Sequence, residues 1–409
     1  VLRGGWIALL AAVLAAASAR AQVGALAADL GALLGGGRHA VLVMSLDRGD
    51  TLFSHRADER LAPASNLKLF STAAALHYLG ADFRWSTYLL ADAPPQGGVV
   101  AGDLTLFGTG DPTLGSGRFP GTARALEALA DSLRAAGVRE VAGSLVADGS
   151  FFDPRQRAEG WTAEDQTRWY GVPVAALAAG ENVARGRPVD DAVRAAGERF
   201  RAALERAGVR VRGGVRVVRD PALSAAGLHG APRTGAHVLA VLRSPPLSDV
   251  ARVTNHVSHN LFADESLRTA ARAAHGSGSF EAGEHAVARM LPAADPPRML
   301  DGSGLSRLNR VSARTVVALL ALMERSAPFR ASLPEAGSPA GLRRMAGTPA
   351  SGNLRAKTGT LATVSALSGY VTAANGERLA FAVLSNDVRP AAAKEMENRI
   401  GARLARFTR

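Results

Sequence analysis

The 409-residue chain is 47% hydrophobic and 21% charged, which excludes a disordered chain and leaves room for two or more domains around a substantial core. Its net charge of +12 would suit a nucleic-acid partner, but the arginines are scattered among acidic residues, with no long basic run, zinc-finger spacing or aromatic–basic signature. What remains is weak, salt-screened attraction to an anionic wall or membrane surface, and zero cysteines exclude a disulfide framework and thiolate metal sites.

The N-terminus carries one positive charge, Arg3, then an apolar stretch from Trp6 to about Ala17, then small residues at Ala17-Ser18-Ala19 and Ala19-Arg20-Ala21 before Gln22. This is the three-part layout of a signal peptide, short for a membrane span, so residues 1–21 are predicted as a leader and the protein as exported to the periplasmic or other extracytoplasmic wall space. An uncleaved anchor is the alternative. No other segment is apolar enough, for long enough, to span a bilayer, so membrane contact is at most peripheral.

A strand is predicted at 39–46, with a hairpin partner at 51–55 across Asp47-Arg48-Gly49-Asp50. A helix follows from Ser65 to Leu79 and stops at Gly80. From 81 to 235 the texture changes to short strand-like runs broken by Gly, Pro and Asp, with helices near 122–136 and 190–207; this reads as an insertion. Helical texture resumes over 247–274. Asp301-Gly302-Ser303-Gly304 is a tight turn and 312–325 a helix. The chain closes with strands at 353–357, 363–372 and 378–386 and an amphipathic helix over 391–407. The expected class is α/β in the α+β sense.

Only three of the 48 basic residues are lysine: Lys68, Lys357 and Lys394. Arginine matches lysine in charge but cannot release a proton near neutral pH, so a site needing a free amine cannot accept the swap. Coding bias toward arginine explains the scarcity and not the placement. Lys68 ends Ser65-Asn66-Leu67-Lys68, and Lys357 opens Lys357-Thr358-Gly359-Thr360. A spacing of three at a helix start puts Ser65 and Lys68 on one face, where a lysine of lowered pKa can take the serine's proton. Free N–H groups at that helix start can hold an oxyanion.

Ser258-His259-Asn260 is a second constellation: serine can relay a proton, and asparagine can hold a substrate amide through donor and acceptor. His259 lies three after His256, but no third ligand stands nearby, so neither a metal nor any other cofactor is expected. In the third segment a charged Lys357 with the hydroxyls of Thr358 and Thr360 can bind a carboxylate. Gly359 would let a substrate backbone approach, and the Thr360 N–H would be a second oxyanion donor facing that of Ser65. Each segment alone is a weak signal; their order and helix/helix/strand placement make the set specific. It is a combination associated with class A β-lactamases and penicillin-binding proteins.

At this point the chain resembles the DacB-type D-alanyl-D-alanine carboxypeptidases, low-molecular-mass class C penicillin-binding proteins of peptidase family S13. The likeness covers nearly the whole mature chain. It includes Gly110-Asp111-Pro112-Thr113-Leu114, Asp148-Gly149-Ser150-Phe151-Phe152-Asp153 with Trp161, Tyr170-Gly171-Val172-Pro173 and Asp301-Gly302-Ser303-Gly304-Leu305-Ser306. The resemblance implies a β-lactamase/transpeptidase-like catalytic domain, residues 22–80 and 236–409, split by an accessory region at 81–235. It implies that Ser65 attacks the carbonyl between two D-alanines with Lys68 as base, and that Ser258 and Asn260 assist proton transfer and positioning. Lys357, Thr358 and Thr360 would hold the terminal carboxylate, and Ser65 and Thr360 would supply the oxyanion hole. The implied substrates are peptidoglycan stem peptides ending in D-Ala-D-Ala, with endopeptidase action on cross-links in many relatives, and β-lactams are the implied acylating inhibitors.

Three departures stand out. His259 occupies a position where the family usually has aspartate, and its side chain is expected to point away from the substrate. After Glu181-Asn182-Val183 the chain moves almost directly to a helix, where the family carries a further strand-rich stretch. Ala340-Gly341-Leu342 stands where Gly-Thr-Leu is usual. A β-lactamase or esterase of the same fold is an alternative, which would need a deacylating base the sequence does not offer. A catalytically silent wall-binding or assembly protein is another, against which Ser65, Lys68, Asn260 and Lys357 argue.

Overall fold

The computed structural model describes residues 2–223, 232, 235–291 and 295–409, with backbone alone for residues 2–16 and 223. In chain order the elements are α1 (Leu2–Leu33), β1 (Arg38–Ser45), β2 (Thr51–His55), α2 (Lys68–Leu79), β3 (Ser86–Ala91), β4 (Val99–Val100), β5 (Leu104–Gly108), α3 (Ala125–Ala135), β6 (Glu140–Val141) and β7 (Leu145–Asp148). Then come β8 (Val183–Ala184), β9 (Arg187–Pro188), α4 (Ala192–Arg206), β10 (Arg210–Val211), β11 (Val215–Val218) and β12 (His237–Arg243). The last third holds α5 (Leu247–His256), α6 (Asn260–His275), α7 (Phe280–Met290), α8 (Ala313–Met323), α9 (Ala327–Ser332), β13 (Arg355–Leu361), β14 (Val364–Thr372), β15 (Arg378–Asn386) and α10 (Pro390–Ala405).

The chain forms two compact units, residues 1–66, 293–297 and 309–409, and residues 67–292 and 298–308. The described residues of 81–235 lie within the second, together with α2, α5, α6 and α7.

The first unit is built on an antiparallel sheet in the order β13-β14-β15-β1-β2. Strands β1, β14 and β15 are buried on both faces. Val41, Val43, Phe381 and Val383 pack with Ile400 and Leu404 of α10 and Leu26 and Leu30 of α1, while α8 covers the other face. That double burial explains why β15 reads Leu-Ala-Phe-Ala-Val-Leu without alternation. Among the described residues no helix is long and apolar enough to cross a membrane.

The second unit holds a mixed sheet, β11-β7-β5-β3-β12, and a small parallel one, β10-β6-β4. Helices α3 and α4 share a core with Leu106, Leu145 and Ala147. Helices α2, α5, α6 and α7 pack on one another.

The α+β class holds, and β1, β2, β14 and β15 fall within a residue of the expected spans. Three differences matter. The first turn of the Ser65 helix is a separate 3-10 turn, Ala64–Leu67. Lys357-Thr358-Gly359-Thr360 lies inside β13, not at a strand's end, because residues 358–360 pair with 365–367 of β14. Helix α7 lies in a stretch the sequence analysis leaves unassigned; at its Gly283 a Cβ would meet Leu267 of α6 at 2.8 Å, so glycine permits the close packing.

Candidate active site

The first unit presents Ser65 and β13. Ala64 enters the 3-10 turn at φ +48°, a left-handed conformation costly for a residue with a Cβ, so the backbone is strained immediately before the serine. Two asparagines hold this turn. Asn386, the last residue of β15, accepts from the Ala62 N–H at 2.9 Å and donates to the Ala62 carbonyl at 3.0 Å. Buried Asn66 donates through Nδ2 to the Lys357 carbonyl at 3.0 Å, tying the turn to β13. Sequence reasoning gave neither a role. An asparagine beside the serine, and one ending a buried strand, were the available signals.

Gly359 is the point of closest approach. A Cβ there would lie 2.7 Å from the Pro63 carbonyl oxygen and 3.1 Å from the Ser65 and Asn66 nitrogens. The chain's own Ser65 turn therefore already requires a glycine at this position. Lys357 is buried and donates through Nζ to the Thr358 carbonyl at 2.9 Å. β13 is an edge strand, and Ala356 donates to the Pro334 carbonyl outside the ladder at 3.0 Å. Antiparallel pairing alternates inward and outward backbone groups, so the N–H groups of Thr358 and Thr360 also turn to the outer edge.

The second unit presents Lys68. The 3-10 turn carrying Ser65 runs straight into α2, whose first residue is Lys68. Its side chain is fully buried, and Nζ donates to Asn260 Oδ1 at 2.7 Å and to the Ser303 carbonyl at 2.6 Å. Burial pulls the amine down to about 8, against the opposing pull of Asp264 and Asp301. The carbonyl is aimed by the Asp301 turn: Asp301 accepts from Trp161 Nε1 at 2.8 Å, Gly304 N at 2.8 Å and Ser306 N at 2.6 Å. Asp264, one turn along α6 from Asn260, accepts from Gly302 N at 2.6 Å, and burial first, then Asp301, pushes its carboxyl well above the usual range.

Asn260 bridges: Oδ1 accepts from Lys68, and Nδ2 donates to the Tyr170 carbonyl at 2.9 Å. Both ends of the amide expected to meet substrate have partners within the protein. Ser258, a strained residue within its motif, sits half-buried at φ +58° between α5 and α6. His259 caps α6, with Nδ1 accepting from the Phe262 N–H at 3.4 Å and Nε2 2.9 Å from Glu181. Burial holds the imidazole below its usual range. Burial pulls Glu181 up, but hydrogen bonds from His259 and Ser116 outweigh it and hold the carboxyl at about 2. Tyr170, Glu181, Asp264 and Ser303 thus shape the surroundings of Lys68 and Asn260 without having been singled out for that in the sequence.

The sequence model of the D-Ala-D-Ala carboxypeptidase 3 (S13) family matches residues 19–187 and 178–407. The chain belongs to this family. The two matches meet at 178–187, where the sequence reading finds a strand-rich stretch trimmed. A D-alanyl-D-alanine carboxypeptidase of Actinomadura sp. (strain R39) is 33% identical over 91% of this chain and 82% of that protein. The fold is that of penicillin binding protein 4 from Haemophilus influenzae, with a TM-score of 0.80 at 23% identity over 93% of this chain and 99% of the other. A penicillin G-acylated predatory endopeptidase from Bdellovibrio bacteriovorus has a TM-score of 0.57 at 19% identity over 90% of this chain and 92% of that one.

Proposed function

We propose that this S13 protein is an exported serine D-alanyl-D-alanine carboxypeptidase, with endopeptidase action on D-alanyl cross-links, that forms its acyl-enzyme on Ser65 and is acylated there by penicillins. The observation that carries the reading is the Lys68 amine, fully buried between Asn260 Oδ1 and the Ser303 carbonyl, held near 8 by burial, three residues after Ser65. A neutral amine so placed is a base and little else. Ser65 Oγ attacks the carbonyl of the penultimate D-alanine as Lys68 takes its proton. The oxyanion rests on the N–H groups of Ser65 and Thr360. The C–N bond breaks, the departing amine receives a proton relayed by Ser258, and D-alanine leaves. Water then attacks the Ser65 ester, with Lys68 again accepting a proton. Lys357, Thr358 and Thr360 bind the terminal carboxylate of the stem peptide.

Labelled penicillin and purified peptidoglycan test this reading. Stable labelling lost in Ser65→Ala, with D-alanine released by the native protein alone, is expected. Rapid drug turnover would make it a β-lactamase, and no labelling would sink both. Export rests on the layout of residues 1–21, and fractionation of cells expressing the full chain tests it: retention in the cytoplasm overturns that part alone.

A further inference from the structure

A cleft of about 270 Å³ opens in the second unit at the far ends of α2 and α6, the helices whose first residues are Lys68 and Asn260. None of the motif residues lines it. Its walls are the rings of Tyr78, Phe83, Tyr88 and Phe151, with Arg84 and Arg272 among them. Tyr78 lies ten residues along α2 from Lys68, about 15 Å of helix.

The arginines are the unusual feature. Arg272 is half-buried, its guanidinium 4.9 Å above the Phe151 ring; Nη1 donates to the Gly276 carbonyl at 2.8 Å, while Nε is buried without a partner. Capping the end of α6 accounts for the first nitrogen and leaves the second unexplained. Burial lowers the proton affinity of this group, with nothing raising it. Arg84 donates to the Ser244 carbonyl at 2.7 Å. Among the described residues neither guanidinium meets a carboxylate, and residues 1, 224–231, 233–234 and 292–294 contain no Asp or Glu. Elsewhere in this chain arginines such as Arg314, Arg378 and Arg409 are matched by acids. A partly desolvated cation without a counter-charge is costly unless an anion completes it.

We propose that this cleft is a second binding site for a carboxylate carried on a ring, a sugar acid or an aromatic acid. Aromatic walls take the ring face, and the guanidiniums take the carboxylate. The volume suits a single ring with its substituents. The site is independent of the chemistry at Ser65.

Trp85 reports on it: its ring stands edge-on to Phe83 at 5.1 Å and its Nε1 donates to Thr269, and both neighbours line the cleft. The full chain is titrated with N-acetylmuramic acid, with phenylacetate and with N-acetylglucosamine, followed by tryptophan fluorescence and calorimetry. Saturable binding of at least one acid, and none of the uncharged sugar, is expected; which acid binds identifies the source of the ring. Affinity falls about tenfold or more in Arg272→Gln and in Arg84→Gln, while penicillin labelling of Ser65 keeps its native rate. Arg84→Gln, at an exposed residue, guards against a folding defect in the other variant. No saturable binding of either acid up to about 10 mM, or equal affinity in both variants, overturns the proposal.

Discussion

Nε2 of His259 lies 2.9 Å from Oε2 of Glu181, and the two residues are 78 apart in the chain. Glu181 stands at φ +55°, strained, and its carboxylate also meets Ser116 Oγ and Arg118. A buried neutral histidine with Nδ1 accepting from Phe262 must carry its proton on Nε2, which therefore donates to Glu181. This pair fixes the first turn of α6, where Ser258 and Asn260 flank His259. The histidine in this motif is thus matched by a carboxylate opposite it.

An aspartate at this position should consequently do harm. In His259→Asp two carboxylates would share one buried site, costing about 2–4 kcal/mol and slowing penicillin acylation about tenfold or more at pH 8. Aspartate is itself a good helix cap, so a lost cap is not the cause. Adding Glu181→Gln should recover most of both losses. Double-mutant-cycle stabilities and acylation rates check this, and additive effects would refute the coupling.

The pH dependence follows from Lys68. Only the unprotonated amine accepts the serine's proton, so activity is present above about 8 and is lost as pH falls through that value. The acylation rate should rise toward a plateau with a midpoint near pH 8, and a profile flat from pH 5 to about 9 would exclude Lys68 as base. Lys68→Arg should lose on the order of 10³-fold at every pH, because guanidinium stays charged.

Gly359→Ala tests the contact between β13 and the serine turn. The added methyl would overlap the Pro63 carbonyl, so strand and turn must separate. Acylation should fall about 10–100-fold while stability drops by only about 1–3 kcal/mol. Native acylation in this variant would show that the turn tolerates displacement.

A buried acid offers a stability test. Burial pushes Asp111 to about 6, against hydrogen bonds from Thr113 at 2.7 and 2.8 Å. A folded-state value above the usual 3.8 means that its contribution is complete below 3.8 and lost as pH rises through 6. At about 1.4 kcal/mol per pH unit the loss is about 3 kcal/mol. Asp111→Asn does not titrate, so its melting temperature should gain about 3–6 °C relative to the native protein between pH 4 and pH 7.5. A constant difference across that range would place the carboxyl's titration elsewhere.

Much of the chemistry was legible in the chain, since it depends on residue types that cannot be exchanged. A deprotonatable amine cannot be arginine, so Lys68 stood out against an arginine background, and Lys357 stood out by opening Lys357-Thr358-Gly359-Thr360. The hairpin at the start and the long strands at the end were legible because their apolar runs and turn residues are local signals. Lys394 carried no motif; in α10 its carbonyl accepts from Arg344 at 3.3 Å.

Tertiary structure decided what those residues meet. No sequence rule places the Tyr170 carbonyl against Asn260, the Ser303 carbonyl against Lys68, or Glu181 against His259, because each pair is remote in the chain and one partner is often a backbone atom common to every residue. Nor does sequence show which part of its own chain a glycine admits; at Gly359 it is the Ser65 turn. The sequence by itself determined which atoms could perform proton transfer, and the tertiary structure decided how far burial lowers the Lys68 amine, since desolvation depends on everything packed around it.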